Sequence, residues 1–462
     1  MPSDLSRRVF LKRASALSLA GAATPFVMNL AAMGEAAAAT ATDYKALVCV
    51  FLYGGNDYAN TLVPYDNTQY GIYQAQRPGL AYAQSALTAT ALTPSMALPN
   101  GAQYALAPEL AKLLPLFDAG HLAVLLNAGT LVQPTTKAEY QAHVSLPPKL
   151  LSHNDQQSYW QASSPEGAAS GWGGRIGDLL QSGNGTATLT CINVTGNAAF
   201  LTGQAAVQYS VTPAGPIALN ARTSLQGSTA AASLLQSLIS GGGTHEFEAA
   251  LGSIGSRALD LYSQVSAALG QAPVTTTVFP TAADPQSSLG AQLQLVAKLI
   301  SVSSQLGAKR QVFFVSTGRY DTHAGLVTLH PTLLTNLADA LRAFYDTTVE
   351  LNVASQVTTF TGSDFGRALT ANNDGTDHGW GSMHFVLGGA VRGGRYYGIN
   401  PTLANGGPDD IGQGRLIPTL SVDQYAATLA SWFGVLNSDL ATVVPNIGNY
   451  ASSALGTNVG FV

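Results

Sequence analysis

The sequence predicts an α/β protein of three layers, α/β/α, around a mostly parallel central sheet. Three observations carry that reading. Short runs rich in β-branched and aromatic residues lie at 45–52, 311–316 and 357–363, and the first of them is apolar almost throughout, as strands covered on both faces are. Longer segments with helical spacing, at 289–306, 329–345 and 422–433, alternate with other runs of that kind. Composition allows a sizeable core, since 46% of the 462 residues are hydrophobic and only 10% are charged, which excludes a disordered chain.

The amino terminus sets the compartment. Ser6-Arg-Arg-Val-Phe-Leu-Lys12 is a twin-arginine pattern, followed by a mostly apolar run over 14–32 and a small-residue stretch at 36–39. These are the parts of a removable export signal. Pro25, Asn29 and Glu35 interrupt the span that a membrane anchor needs. Residues 1–39 are therefore read as a twin-arginine signal peptide and 40–462 as one α/β domain. The twin-arginine (Tat) machinery would export it folded, to the periplasm or outside the cell. Cleavage removes Arg7, Arg8, Lys12 and Arg13 with Asp4 and Glu35, so 21 basic and 26 acidic residues become 17 and 24, a net of −7. That balance offers no basic patch to nucleic acid. Cys49 and Cys191 lie in apolar, strand-like runs and read as buried free thiols. No stretch of the mature chain is long and apolar enough to span a membrane.

Taken in order, 45–52 is the first strand and ends in Tyr53-Gly-Gly-Asn-Asp57, a polar turn. Residues 66–106 show no clear period and read as an irregular excursion. Leu110, Leu113 and Leu114 have helical spacing after Pro108, and Pro115 is expected to kink or end that helix. Residues 122–126 are the next strand, which predicts a parallel crossover from the first. A helix begins after Ser152, with Ser152 as N-cap and Asp155 at the third helical position. Residues 171–180 form a Gly-rich turn that enters a helix, and 188–194 form a strand. The Gly/Ser/Ala/Thr-rich segment 195–245 reads as a surface excursion or cap.

Polar clusters fall where strands stop, and in open α/β sheets ligands sit outside the carboxyl ends of the strands. The clusters are Asn56 with Asp57, Asp321 with His323, and Asp364 with Asp377 and His378. His384 is a less favoured alternative to His378. Ser152-His153-Asn-Asp155 opens a helix, where unpaired N–H groups favour an anionic ester beside a hydroxyl. Carboxylates and imidazoles together suit a hard or borderline divalent metal. No Gly-x-Ser-x-Gly elbow, phosphate-binding Walker loop or dinucleotide fingerprint is present.

The twin-arginine start, Phe51-Leu-Tyr-Gly-Gly-Asn-Asp57, Ser152-His153 with Gln157 and Trp160, Gly171-Trp-Gly-Gly-Arg175, Asp321-Thr-His323 and Thr361-Gly-Ser-Asp-Phe-Gly-Arg367 together resemble the bacterial domain-of-unknown-function family 1501. That family resembles a distant branch of the alkaline phosphatase and sulfatase superfamily. The resemblance implies an alkaline-phosphatase-like fold with Ser152 at the nucleophile position. It implies that Asp321, His323, Asp364 and His378 are metal ligands. Two positions depart from the superfamily pattern: Phe365 follows Asp364 where His is common, and Tyr53 stands where a metal-binding Asp is usual, leaving Asn56 or Asp57 as substitutes. The modified Cys or Ser motif of sulfatases is also absent.

The sequence thus points to an exported hydrolase of phosphate, sulfate or related esters, dependent on one divalent ion of zinc, manganese or calcium. Ser152, His153 and Arg175 are its catalytic candidates. Asn56 and Asp57 would bind the anion, as would Arg175. Asp321, His323, Asp364 and His378 would hold the metal. The substrate would be a small-molecule or polymer ester. The alternative is a non-catalytic envelope protein on the same fold that binds a glycan, a polymer or a secreted partner.

Overall fold

The computed structural model describes residues 42–196, 198–219, 223–242, 245–281 and 288–462. The twin-arginine segment lies outside the described residues. The strands are β1 (Lys45–Leu52), β2 (Leu62–Pro64), β3 (Tyr104–Leu106), β4 (Leu122–Gly129), β5 (Cys191–Asn193), β6 (Tyr209–Thr212), β7 (Gly215–Pro216), β8 (Arg310–Thr317), β9 (Val357–Ser363), β10 (Arg367–Ala371), β11 (Thr376–His378), β12 (Ser382–Gly388), β13 (Arg395–Tyr397) and β14 (Leu420–Ser421). The longer helices are α1 (Asn67–Gln76), α2 (His153–Ala162), α3 (Trp172–Leu180), α4 (Thr229–Ser240), α5 (Glu246–Leu269), α6 (Leu289–Ser301), α7 (Leu326–Glu350) and α8 (Val422–Phe433). No helix among the described residues is long and apolar enough to cross a membrane.

Among the described residues ten strands make one sheet, ordered β13-β4-β12-β9-β1-β8-β5-β6-β7 with β14 beside β4. It is mostly parallel: β1 runs parallel to both β8 and β9, β5 to both β8 and β6, and β13 and β14 to β4. β12 is antiparallel to both β4 and β9, and β7 closes the far edge antiparallel to β6. Side chains alternate across a strand, so β1 divides its apolar residues between two cores. Ala46, Val48, Val50 and Leu52 join the core under α6 and α7. Leu47, Cys49 and Phe51 join the one under α3 and α8. This places a helical layer on each face. Cys49 and Cys191 are buried and free.

Several elements differ from the sequence reading. The segment 66–106 holds α1, capped by Asp66, which accepts the N–H of Gln69. Its face is only weakly apolar, which hides it from a periodicity search. The helix near Pro108 is a 3-10 segment (Pro108–Leu113) that passes into a short α-helix (Leu114–Asp118), with Pro115 tolerated in the first turn. The segment 195–245 adds β6 and β7 to the sheet edge and also carries α4. Helix α5 went unread, because Phe247, Leu251 and Ile254 are exposed and blur any buried stripe.

Two buried histidines give the fold a pH limit. His330 lies on α7, and burial pushes it down from 6.5 to about 4, although the nearby Asp57 opposes this. His384 on β12 is pushed to about 3 by burial alone. Both stay neutral when folded, whereas the unfolded chain takes up protons near 6.5. Stability that is complete above pH 6.5 is therefore lost as pH falls toward those folded values. Each ring is expected to cost about 2 kcal/mol at pH 5 relative to pH 7.5. Urea unfolding at the two pH values checks this, and His384→Leu should remove about half of the drop. Equal midpoints at both pH values would count against it.

Candidate metal centre

Three neighbouring strands stop level with one another. Leu52 of β1 pairs with Thr317 of β8 on one side and Ser363 of β9 on the other. The chain is tied across these ends: Tyr53 N–H donates to Thr317 O, Tyr320 N–H to Tyr53 O, and the Ser363 hydroxyl to Leu52 O. Asp321, His323 and Asp364 thus leave the sheet together. Gly54 has φ +113°, and a Cβ there would lie 2.4 Å from the Asp321 nitrogen, so the β1 turn needs glycine at this point.

Three imidazoles converge on Asp321. His153 is the first residue of α2, and its Nδ1 lies 2.6 Å from Asp364 Oδ2. His378 Nδ1 lies 2.8 Å from the Leu151 carbonyl, and His323 Nδ1 lies 3.3 Å from Asp377 Oδ1. All three partners are acceptors, so each Nδ1 carries the proton and each Nε2 presents its lone pair. Those lone pairs point inward. His323 Nε2 and His378 Nε2 are 2.9 Å apart and lie 3.2 and 3.3 Å from Asp321 Oδ1. His153 Nε2 lies 3.4 Å from Asp321 Oδ2 and is buried without a hydrogen-bond partner. Lone pairs facing one another at such distances repel unless a proton or a cation sits among them.

The ligand atoms of His153, Asp321 and His378 all lie within 4.8 Å of one another. His323 stands outside that set of three, but its Nε2 is close enough to Asp321 and His378 to count as a fourth donor. Nitrogen and carboxylate oxygen in this number fit a borderline divalent ion. A carboxylate or carbonyl behind each ring is also the usual support of metal-binding histidines. The site is open, with Asp321 and His323 side chains 42% and 45% exposed, so a ligand reaches it from solvent.

Asp364 is the hub behind the cluster. Its Oδ2 accepts from His153 Nδ1, Gln157 Nε2 (2.8 Å) and the Gly54 N–H (3.1 Å). The bond to Asp364 raises the His153 pKa against the desolvation that lowers it. Burial lowers the pKa of His378. Burial alone would raise Asp321, but the hydrogen bond and charge of Arg367 outweigh it and hold the carboxyl below its usual range. Arg367 is fully buried, and its Nη1 donates to Asp321 Oδ1 at 2.8 Å and Gly54 O at 3.0 Å. Phe365 packs its ring 4.8 Å from His153 and 4.6 Å from His378.

Residues 44–436 match the sequence profile described as "Protein of unknown function (DUF1501)". The chain belongs to the DUF1501 family. No curated protein matches it by sequence. Among solved structures, the DUF1501 chain is similar to the PsFucS1 sulfatase from Pseudoalteromonas sp. at 10% identity and a TM-score of 0.36, over 90% of this chain and 72% of that one. It is also similar to the lipoteichoic acid synthase LtaP from Listeria monocytogenes at 9% identity and a TM-score of 0.31, over 86% of this chain and 74% of that one. Likeness of that degree carries no weight for the chemistry, which rests on the residues themselves.

In this DUF1501 protein the sequence-derived residues divide into two groups. Asp321, His323, His378, His153 and Asp364 come together, with Asp364 bonded to a histidine rather than facing the shared centre. Ser152 stands between Leu151, which touches His378, and His153. Asn56 and Asp57 do not reach the cluster. The Asn56 amide donates to Thr61 and its oxygen meets His330, while Asp57 is buried against Arg77 at 2.7 Å. Arg175 donates to the carbonyls of Val443, Ser170 and Ala162, leaving no face for an anion, and burial lowers its pKa to about 10. His384 lies in the core beside Trp160 and Tyr425. Arg367 was missed, although it stands three residues after Asp364.

Proposed function

We propose that this protein is an exported, metal-dependent hydrolase of phosphate, sulfate or related esters. The carrying observation is the convergence of three Nε2 lone pairs and a carboxylate, each imidazole having its Nδ1 occupied by an acceptor. His153, Asp321, His323 and His378 would hold one ion. Their nitrogen-rich set disfavours calcium and suits zinc best, ahead of manganese. A divalent ion bound there would polarise the ester and lower the pKa of an attacking hydroxyl.

The chain's own groups complete the site. Asp364 orients His153, and Arg367 fixes one oxygen of Asp321. Ser152 is the N-cap residue of α2, yet its hydroxyl does not cap the helix. It donates instead to Asp155 Oδ2 at 2.9 Å, so the proton of an attacking Ser152 oxygen has a carboxylate to receive it. The first-turn N–H groups of α2 that Ser152 leaves uncapped face an anion favourably. The twin-arginine segment would deliver the folded protein out of the cytoplasm.

The test is a screen of the metal-loaded protein against chromogenic phosphate monoesters, phosphate diesters and sulfate esters. Ser152→Ala should keep the metal and lose turnover by about a thousandfold. A wild type that binds metal but hydrolyses none of these esters would overturn the hydrolase assignment. Asp364→Asn takes away the carboxylate behind His153, and metal affinity is expected to fall about 10–100-fold. Titration calorimetry checks this, and an unchanged affinity would remove His153 from the ligand set.

A further inference from the structure

Beside the cluster, the turn Thr317-Gly318-Arg319 separates two cavities. One, of about 520 Å³, opens where β5, β6 and β8 end, and Thr195, Ser210, Thr212, Ser316 and Thr317 bring hydroxyl groups to it. The other, of about 370 Å³, lies between that turn, the start of α6 and the flank of α7, with Ser288, Arg319 and Asn336 on its wall. Thr317 and Gly318 line both. The hydroxyls of Ser210, Ser316 and Thr317 have no side-chain hydrogen bond among the described residues. Among the described residues no aromatic ring lines either cavity, so neither is built to stack a flat ligand.

Arg319 is unusual in two respects. It is a non-glycine residue at φ +74°, a conformation that side chains resist. The neighbouring Tyr320 holds it there, buried, with its N–H on Tyr53 O and its hydroxyl 3.5 Å from Leu333 O. Arg319 is also exposed, with no hydrogen bond or ion pair among the described residues. The guanidiniums nearer the cluster are engaged, Arg367 on Asp321 and Arg415 on the His378 carbonyl. A strained backbone two residues before Asp321 thus sets, at the mouth of the second cavity, a cation without a partner among the described residues.

We infer that this turn is a second binding site for the non-reacting part of a hydroxyl-rich, anionic chain, with Arg319 taking one of its anionic groups. The inference rests on the hydrolase reading only in making the ester polymeric, because a ligand held on both sides of the turn and at the metal must extend past one residue of chain. Hydroxyls on the wall exchange hydrogen bonds with a polyol, and the guanidinium supplies a charge-assisted bond.

The test measures binding with the metal chelated, so failure of the metal centre leaves the readout intact. Titration calorimetry in EDTA would compare dextran sulfate, a glycerol phosphate oligomer and neutral dextran on wild type, Arg319→Ala and Gly318→Trp. Gly318 lines both cavities and a Cβ there meets no atom within 4 Å, so the side chain of this variant starts from open space. At least one charged chain should bind. That binding should weaken about tenfold in Arg319→Ala and about tenfold for neutral dextran against the charged chain. It should be lost in Gly318→Trp. The tighter of the two charged chains then tells a glycan from a polyol phosphate. No binding of either charged chain, equal binding of neutral dextran, or variants that bind like wild type would each overturn the inference.

Discussion

Protein isolated without chelator is expected to carry about one zinc or manganese ion per chain, and His378→Ala to lose it. Asp321→Ala should behave alike. Losing an outer partner of a ligand costs roughly 10–100-fold in metal affinity, and losing a ligand itself should exceed that. His378 contributes one of three converging lone pairs, 2.9 Å from that of His323. Without it the remaining donors no longer surround a common point. Elemental analysis of purified protein and titration calorimetry with zinc and manganese read both expectations. Wild type that stays metal-free after reconstitution would sink the metal centre and move the search to binding partners. A metal retained by both variants would place the ion elsewhere. Ser152→Ala is the internal comparison, because Ser152 holds no lone pair in the cluster and the ion should stay.

The sheet was legible because burial on both faces writes a strand as an unbroken apolar run. β1 and the middle of β8 are such runs, β9 is marked instead by its β-branched and aromatic residues, and each lies where the sequence placed it. Strand ends then pointed to Asp321, His323 and Asp364. The sequence did not reveal which carboxylate would face the centre. Asp364 looks like a ligand from its place after β9, yet folding brings His153 of α2 against it across 211 residues of chain. Phe365 reads as a departure where a histidine is common, and in the fold its ring backs two imidazoles. Arg367 closes the Thr361–Arg367 motif with no role that spacing assigns, and the fold buries it against Asp321. Asn56 and Asp57 carry the right chemistry at the right strand end, but Asp57 is consumed by Arg77, twenty positions away with no helical or strand period to link them.

Arg77→Met is expected to destabilise the fold by about 3–5 kcal/mol, the usual cost of stranding one partner of a buried ion pair. Arg77 and Asp57 are both fully buried, 2.7 Å apart. Burial would raise Asp57, but the Arg77 charge outweighs it and keeps the carboxyl below its usual range. Arg77 also donates to the carbonyls of Ala368 and Leu369, so its loss orphans several groups at once. The consequence should reach the metal centre. Asp57 Oδ2 accepts the Thr376 hydroxyl at 2.8 Å, Thr376 accepts Arg367 Nε, and Arg367 holds Asp321. Urea unfolding of Arg77→Met, Asp57→Asn and the double variant separates the pair from its surroundings. If the two groups act as a pair, the double variant loses less than the sum of the singles. Additive losses would mean that each serves a separate neighbour. Thr376→Val breaks only the hydroxyl link and should weaken metal binding more than it weakens the fold. The reverse order would confine the network to holding the core together.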